Sequence, residues 1–334
     1  MKRINILAML LAFSAFTLVS LTHAQAQAPS APAAAYPNKA IRLVIPYPPG
    51  GGIDVMSRVI GLQLSQRWGQ PVIIDNKPGA GTIVAAESVS RASPDGYTLM
   101  ITTDATITIN PHLYAKLPYD PVKDFVPVMQ LVFLNQLLLA NPGVAAGDLK
   151  GLIAYAKSNP AKLNYASYGS GSQPNLAMEM LKSQAGIDIV HVPYKGISQA
   201  VPAAIANEVQ LTFSGAASSI VHLKSGRLKA LAIGGKTRLN LLPEVLTFAE
   251  QGFPDIPSNA WFGLFAPAGT PRDVVMKVHA EVMKILNDPE FQQREIIAKG
   301  YDLVASKPEE FVAFLAADSL RNARAVKISG AKAE

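Results

Sequence analysis

The chain has 334 residues, 49% of them hydrophobic, no cysteine and a formal net charge of +6 at pH 7. Without cysteine there is no disulfide framework, no thiol chemistry and no cysteine-linked lipid anchor. Its lysines and arginines are scattered and never form a basic run interleaved with aromatics, which argues against a nucleic-acid partner and leaves a mildly basic surface with a weak pull on anions.

Lys2 and Arg3 precede an apolar stretch from Ile4 to Leu21, followed by small-residue cleavage patterns at Ala24-Gln25-Ala26 and Ala26-Gln27-Ala28. This reads as a secretory signal peptide over 1–26. A membrane anchor is the competing reading, because the stretch is near the lower limit for a span. Asn5, Ser14, Thr17 and Ser20 dilute it, however, and a cleavage site follows at once. The expected mature protein is soluble and periplasmic. Loss of Lys2 and Arg3, with no acid before residue 26, takes the charge from +6 to +4. Residues 27–35 are rich in Ala, Pro and Gln and read as a disordered leader. The remaining length exceeds what one core usually serves, so two domains are expected.

Strand-like runs at 41–46, 71–75 and 97–102 alternate with helical spacing near 54–68 and 82–92. A second alternating series follows: strand near 163–166, helix 174–185, strand 188–192, helix 197–206, strand 208–213, helix 216–224 and strand 228–233. Asp148 before Leu149 and Gly186 after Ala185 mark a helix start and a helix end. Such alternation predicts an α/β fold with parallel sheets covered on both faces. Towards the C-terminus Thr270-Pro271-Arg272-Asp273 reads as a cap, a first-turn proline and an acid, and Ser306-Lys307-Pro308-Glu309 has capping-box spacing.

The passage Pro46-Tyr47-Pro48-Pro49-Gly50-Gly51-Gly52-Ile53-Asp54 carries the chain from a strand into a helix. Glycines admit close approach to the main chain, and the unpaired N–H groups of a helix start favour anions. A phosphate loop is excluded because no Lys-Ser or Lys-Thr pair follows, and a dinucleotide fingerprint because Val55 occupies the third glycine position. A plain chain-reversing turn is the alternative. Ligands of open parallel sheets sit beyond the carboxyl ends of the strands. There the sequence also places Thr102-Thr103-Asp104-Ala105-Thr106, the glycine- and hydroxyl-rich run Ala166–Gln173, and Phe213-Ser214-Gly215. Two helix starts facing each other across a cleft suit a carboxylate, or an acid with a carboxylate at each end.

A search for catalytic residues finds little. Gly196-Ile197-Ser198-Gln199-Ala200 fails the nucleophile-elbow pattern at its last position, and His112, His191, His222 and His279 show no metal-ligand spacing. Asp54 reads as a helix cap before it reads as a catalyst. No catalytic residue, metal or cofactor is expected, although a hydrolase or isomerase that uses spatially paired carboxylates is not visible to sequence.

Several passages together carry a family resemblance. They are Tyr36-Pro37-x-Lys39 with Ile41-Arg42 and the Pro46–Asp54 loop; Asn76-Lys77-Pro78-Gly79-Ala80-Gly81; Pro94-Asp95-Gly96-Tyr97-Thr98-Leu99; and Ile109-Asn110-Pro111 through Leu117-Pro118-Tyr119-Asp120-Pro121. Leu163-Asn164-Tyr165-Ala166-Ser167, His191-Val192-Pro193-Tyr194-Lys195-Gly196 and Trp261-Phe262-Gly263-Leu264-Phe265-Ala266-Pro267 continue the series in order. The chain resembles the periplasmic receptors of tripartite tricarboxylate transporters, the Bug family of solute-binding proteins, over nearly the whole mature length.

The resemblance implies a two-domain, type II-like periplasmic-binding-protein flytrap with its ligand cleft between the domains. Domain 1 is then expected over 36–136 and 257–334 and domain 2 over 137–256, with crossings at Asn135–Pro142 and Pro257–Phe265 and Trp261 near the hinge. It also implies that main-chain groups and waters hold one ligand carboxylate at Tyr47, Pro48, Gly50, Gly51 and Asp54, opposite the helix start at Gly171, Ser172 and Gln173. Thr103, Asp104, Ser167, Tyr194 and Ser214 complete the candidate ligand-binding set. Ser214 stands where the family commonly has an acid, Ile53 replaces a common hydroxyl residue, and Asp104 stands where small polar residues are usual. Asp104 either accepts a hydrogen bond from a ligand or caps a turn. The expected protein is a monomer that binds a small organic acid and passes it transiently to the membrane subunits of a transporter. A ligand-sensing receptor for a membrane kinase is the rival reading.

Overall fold

The computed structural model describes residues 36–235, 237–256 and 258–331. The expected signal peptide and leader lie outside these residues, as does Pro257 at the start of the second expected crossing.

The elements alternate as the sequence predicts. In the first half they are β1 (Ile41–Ile45), α1 (Gly52–Trp68), β2 (Val72–Asn76), α2 (Ile83–Ser90) and β3 (Thr98–Thr103), then a π turn (Ala105–Ile109) and the short α3 (Asn110–Leu113). The 16-residue strand β4 (Phe125–Ala140) leads into the second half. There follow α4 (Leu149–Ser158), β5 (Asn164–Ser167), α5 (Gln173–Ala185), β6 (Val190–Pro193), α6 (Ile197–Ile205), β7 (Leu211–Gly215), α7 (Ala216–Lys224) and β8 (Lys229–Ile233). The chain returns through β9 (Asn259–Pro267) and α8 (Arg272–Leu286), and ends with α9 (Pro289–Phe291), β10 (Tyr301–Leu303) and α10 (Pro308–Ser329).

These strands lie in the order β2-β1-β3-β9-β4-β7-β5-β6, with β8 and β10 also on β4. β1 pairs in parallel with β2 and β3, and β5 in parallel with β6 and β7. The expectation of parallel sheets needs correction in the middle, because β9 runs antiparallel to both β3 and β4, and β4 runs antiparallel to β7, β8 and β10. The cause is β4 itself. Its Phe125–Asn135 stretch pairs with β9 and its Gln136–Ala140 stretch with β7, so one strand serves both halves and must run against its neighbours. Pro127 has no N–H for the ladder and sits where the register slips between Pro127 and Met129, as strand prolines do at bulges.

Helices cover both faces of each half. In the first, Met56, Ile60 and Leu64 of α1 share a core with Val274, Val278 and Val282 of α8. On the opposite face Ala85, Ala86 and Val89 of α2 meet Trp261, Phe265 and Phe311. In the second half Leu149 and Leu152 of α4 pack with Leu176 and Leu181 of α5, and Ala200, Val201 and Ala204 of α6 close the other face. A fully buried side chain of this size contributes about 1.5–3 kcal/mol relative to exposure, more than most surface ion pairs. The two cores therefore hold the halves together. The last helix belongs to both: Phe311 lies in the first half's core, Ala325 and Val326 in the second's.

Helix ends follow local chemistry. Gly69 and Gly186 close α1 and α5 in left-handed conformation, at φ +64° and +62°. The Asp148 carboxylate accepts the Gly151 N–H at 2.7 Å, as its position predicts. Two starts differ from expectation. Thr270 donates to the Pro267 carbonyl at 2.7 Å, and α8 begins after Pro271. Ser306 accepts the Gln130 N–H at 2.9 Å, tying the loop to β4, and the reciprocal contact of α10 runs from the Lys307 N–H to Glu310 at 2.9 Å. A long-range partner won the hydroxyl in the second case.

Candidate functional site

A cavity of about 60 Å³ lies between the halves, beyond the carboxyl ends of β1, β3 and β5. At roughly 15 Å³ per water centre it has room for about four waters or the groups of one small molecule. The halves touch at its lip. A Cβ added to Gly51 would meet Ile197 Cγ2 at 3.2 Å, and one added to Gly196 would come within 3.4 Å of Pro48 Cδ.

The first wall is the glycine loop, with Tyr47, Pro48, Gly51, Gly52 and Ile53 against the cavity. Gly50 has φ +93°, a conformation that favours glycine, and a Cβ on Gly52 would meet the Tyr301 hydroxyl at 2.6 Å. Asp54 holds this loop in place rather than lining the cavity. Its carboxylate accepts the Gly50 N–H at 3.0 Å, Asn76 Nδ2 at 2.9 Å and Arg58 Nε at 3.0 Å. Asn76 also donates to the Tyr47 carbonyl at 3.0 Å, which ties the loop's two ends together. Burial pushes the Asp54 carboxyl up, but the hydrogen bonds from Arg58, the Gly50 N–H and Asn76 outweigh it and hold the group below the usual range.

The second wall combines two helix starts. Ser172, Gln173 and Pro174 open α5, and Gly196, Ile197 and Ser198 open α6. Neither of these helices nor α1 has a side-chain cap, so three helix starts converge on one small space. The floor comes from the crossing strands, with Leu134 and Gln136 of β4 and Ala260 and Phe262 of β9. Their spacing of two residues is that of one sheet face, and Trp261 therefore points away. It is fully buried among Phe265, Phe311 and Phe314 and donates to Asp318 at 2.9 Å. Gln136 donates to Gln173 at 2.5 Å, and the Tyr168 hydroxyl reaches the Phe213 carbonyl at 2.6 Å.

At the end of β3, Thr103 bonds the Tyr47 hydroxyl at 3.1 Å, and Asp104 faces the same space. Asp104 also accepts the Ala105 N–H at 3.0 Å at the start of the π turn, so it caps that turn while lining the cavity. Burial and the charge of Asp318 push its carboxyl up to about 7. Among the described residues that line the cavity there is no Lys, Arg or His. No group of three or more His, Asp or Glu side chains among the described residues is placed to hold a metal ion.

Of the thirteen residues expected at the site, the structure brings Tyr47, Pro48, Gly51, Thr103, Asp104, Ser172 and Gln173 together around the cavity. Gly50 lines a neighbouring groove, and Tyr194 another. Ser167 is fully buried and bonds the Gly169 carbonyl at 3.0 Å and His191 at 2.7 Å, bracing the turn before α5. Gly171 has φ +74° and lies so close to Leu113 of the first half that no Cβ fits. Ser214 is buried within β7. Sequence reasoning missed the start of α6 and the four floor residues. Gly196 before an apolar helical pattern marked the first, whereas the two crossings are apolar runs with no sequence mark of the face that turns inward.

Comparison with known proteins gives a consistent picture. The description "tripartite tricarboxylate transporter family receptor" matches residues 56–330. A UPF0065 protein of Bordetella pertussis (strain Tohama I) is 38% identical over 264 residues, 79% of this chain and 81% of that protein. BugT of the same organism is 32% identical over 298 residues, covering 89% and 91%. Among solved structures, Rpa4515 of R. palustris with adipate has TM-score 0.85 and 29% identity over 89% of this chain and 99% of its own. MatC of Rhodopseudomonas palustris with bound malate has TM-score 0.82 and 31% identity, covering 87% and 100%.

Proposed function

The chain belongs to the tripartite tricarboxylate transporter receptor family, the Bug proteins, and from that premise we propose that it captures a small organic carboxylate in the periplasm and delivers it to a membrane transporter of the same system. The observation that carries this reading is the convergence of three uncapped helix starts on one small cavity that no described Lys, Arg or His lines. Each helix start favours an anion by about 0.3–1 kcal/mol, rising to ~2 when partly buried. Main-chain N–H groups are fixed donors that add no side-chain entropy cost, and they hold a carboxylate without a competing cation. The adipate and malate bound to the two R. palustris proteins support a ligand with at least one carboxylate.

The halves close over the ligand as the two jaws of a flytrap, with Gly51 meeting Ile197 and Pro48 meeting Gly196 at the lip. Binding alone accounts for the described residues that line the cavity. The test is calorimetry of the mature protein against aliphatic acids of four to eight carbons, with product analysis of the same mixtures. Micromolar or tighter binding, about −8 kcal/mol, without turnover is expected. Turnover of a bound acid, or no binding across the panel, would sink the reading.

A further inference from the structure

We infer that Asp104 makes this protein select acids that carry one carboxylate and a hydrogen-bond donor elsewhere, over acids with two carboxylates. The inference rests on the receptor reading above and narrows its ligand class. Asp104 is the single carboxyl among the described residues that line the cavity, and it is 3% exposed. Its protein donors are few: the Ala105 N–H at 3.0 Å and the side chain of Thr103. A carboxylate with so few donors has capacity left for a group inside the cavity.

The charges around Asp104 do not cancel it. From α10 it faces Asp318, whose carboxylate is already held by Trp261 at 2.9 Å, Thr108 at 2.7 Å, Asn322 at 3.1 Å and Arg321. Arg321 is the nearby cation, and its guanidinium is bonded to Asp318. From the end of β1 it faces Tyr47, whose phenol burial keeps neutral. Once the helix starts hold one ligand carboxylate, a second would share a small, cation-free space with Asp104. It could enter only with a proton. A ligand amide, hydroxyl or ammonium would instead donate to the carboxylate as it stands.

The two ligand classes therefore respond to pH in opposite directions. The Asp104 carboxyl titrates at about 7, and a second ligand carboxylate would draw a proton onto it. Dicarboxylate affinity falls as pH rises through 7, by up to tenfold per unit, whereas affinity for a donor-bearing monoacid rises to a plateau. Calorimetry with adipate and succinate, each beside its own monoamide, at pH 6.0 and 8.5 tests this in the wild type, Asp104→Asn and Asp104→Ser. We expect the wild type at pH 8.5 to bind a monoamide at least tenfold tighter than its parent diacid. In both variants the ratio should fall below threefold and the pH slopes should vanish. Equal affinities in the wild type at pH 8.5, or an unchanged ratio in variants that melt normally, would overturn the inference and leave the receptor reading standing. Failure of all four acids in all three proteins would overturn both.

Discussion

In the first turn of α1, Asp54 is 3% exposed and accepts from Gly50, Asn76 and Arg58; at the end of β3, Asp104 is also 3% exposed and has the Ala105 N–H and Thr103. The first carboxyl is held below its usual range and the second is pushed up to about 7. Burial pushes both carboxyls up; at Asp54 the bonds from Arg58, the Gly50 N–H and Asn76 outweigh it, whereas at Asp104 deeper burial and the charge of Asp318 prevail over few donors. This difference also separates the roles of the two regions. The Asp54 region is a finished structural knot, whereas the Asp104 carboxyl lines the cavity with few protein donors.

The largest effect should come from the loop that Asp54 supports. Gly51→Val places methyl groups against Ile197 and should keep the lip from closing, weakening binding of any acid by about 10- to 100-fold, the equivalent of 1–3 kcal/mol of overpacking. The melting temperature without ligand should hardly move, and an unchanged Kd would remove the loop from the site. Next, Asp54→Ala leaves Arg58, Asn76 and the Gly50 N–H without their acceptor and should cost about 2 kcal/mol in urea unfolding at pH 7. Because the folded Asp54 carboxyl lies below its unfolded value, that difference should shrink as pH falls below about 4, where the wild type loses the same contribution.

Asp104→Asn should act with the opposite sign. The wild type must ionise a buried carboxyl above pH 7, so its stability falls as pH rises from about 4 towards 7. The asparagine variant should be more stable than wild type at pH 8 and no more stable at pH 4. A thermal scan at both values decides it, and a destabilised variant at pH 8 would mean that the ionised carboxylate is better satisfied than its donors suggest. The smallest effect belongs to Tyr47→Phe. It loses one hydroxyl contact of 3.1 Å to Thr103, about 1 kcal/mol, and should weaken binding two- to fivefold in calorimetry.

Much of the architecture was legible because the signals were local. The apolar strand Ile41–Ile45 followed by glycines, Gly69 and Gly186 at helix ends, and Asp148 at a helix start each act through their immediate neighbours. The directions of β4 and β9 were not legible, since a long apolar run carries no mark of which partner it will take. The same limit applied to the site. Helix starts at Gly51 and Ser172 announced themselves, but Leu134, Gln136, Ala260 and Phe262 lie in hydrophobic stretches whose inward face depends on register. Ser167 looked like a ligand group by its position at a strand end, and a histidine 24 residues away claimed it. Asp104 could be placed at a strand end from sequence, while the neighbour that raises its carboxyl, Asp318, stands more than two hundred residues further on.

The C-terminal helix α10 runs 22 residues, about 33 Å, with Phe311 in one core and Ala325 in the other. A rod fixed at both ends in this way turns any swing of the jaws into sliding along its own sides, and packed helices slide by small steps. The range of gaping shapes is thereby short, and an arriving ligand has less disorder to remove when the jaws meet. A helix that contributes no residue to the cavity lining is thus placed to govern how the jaws meet.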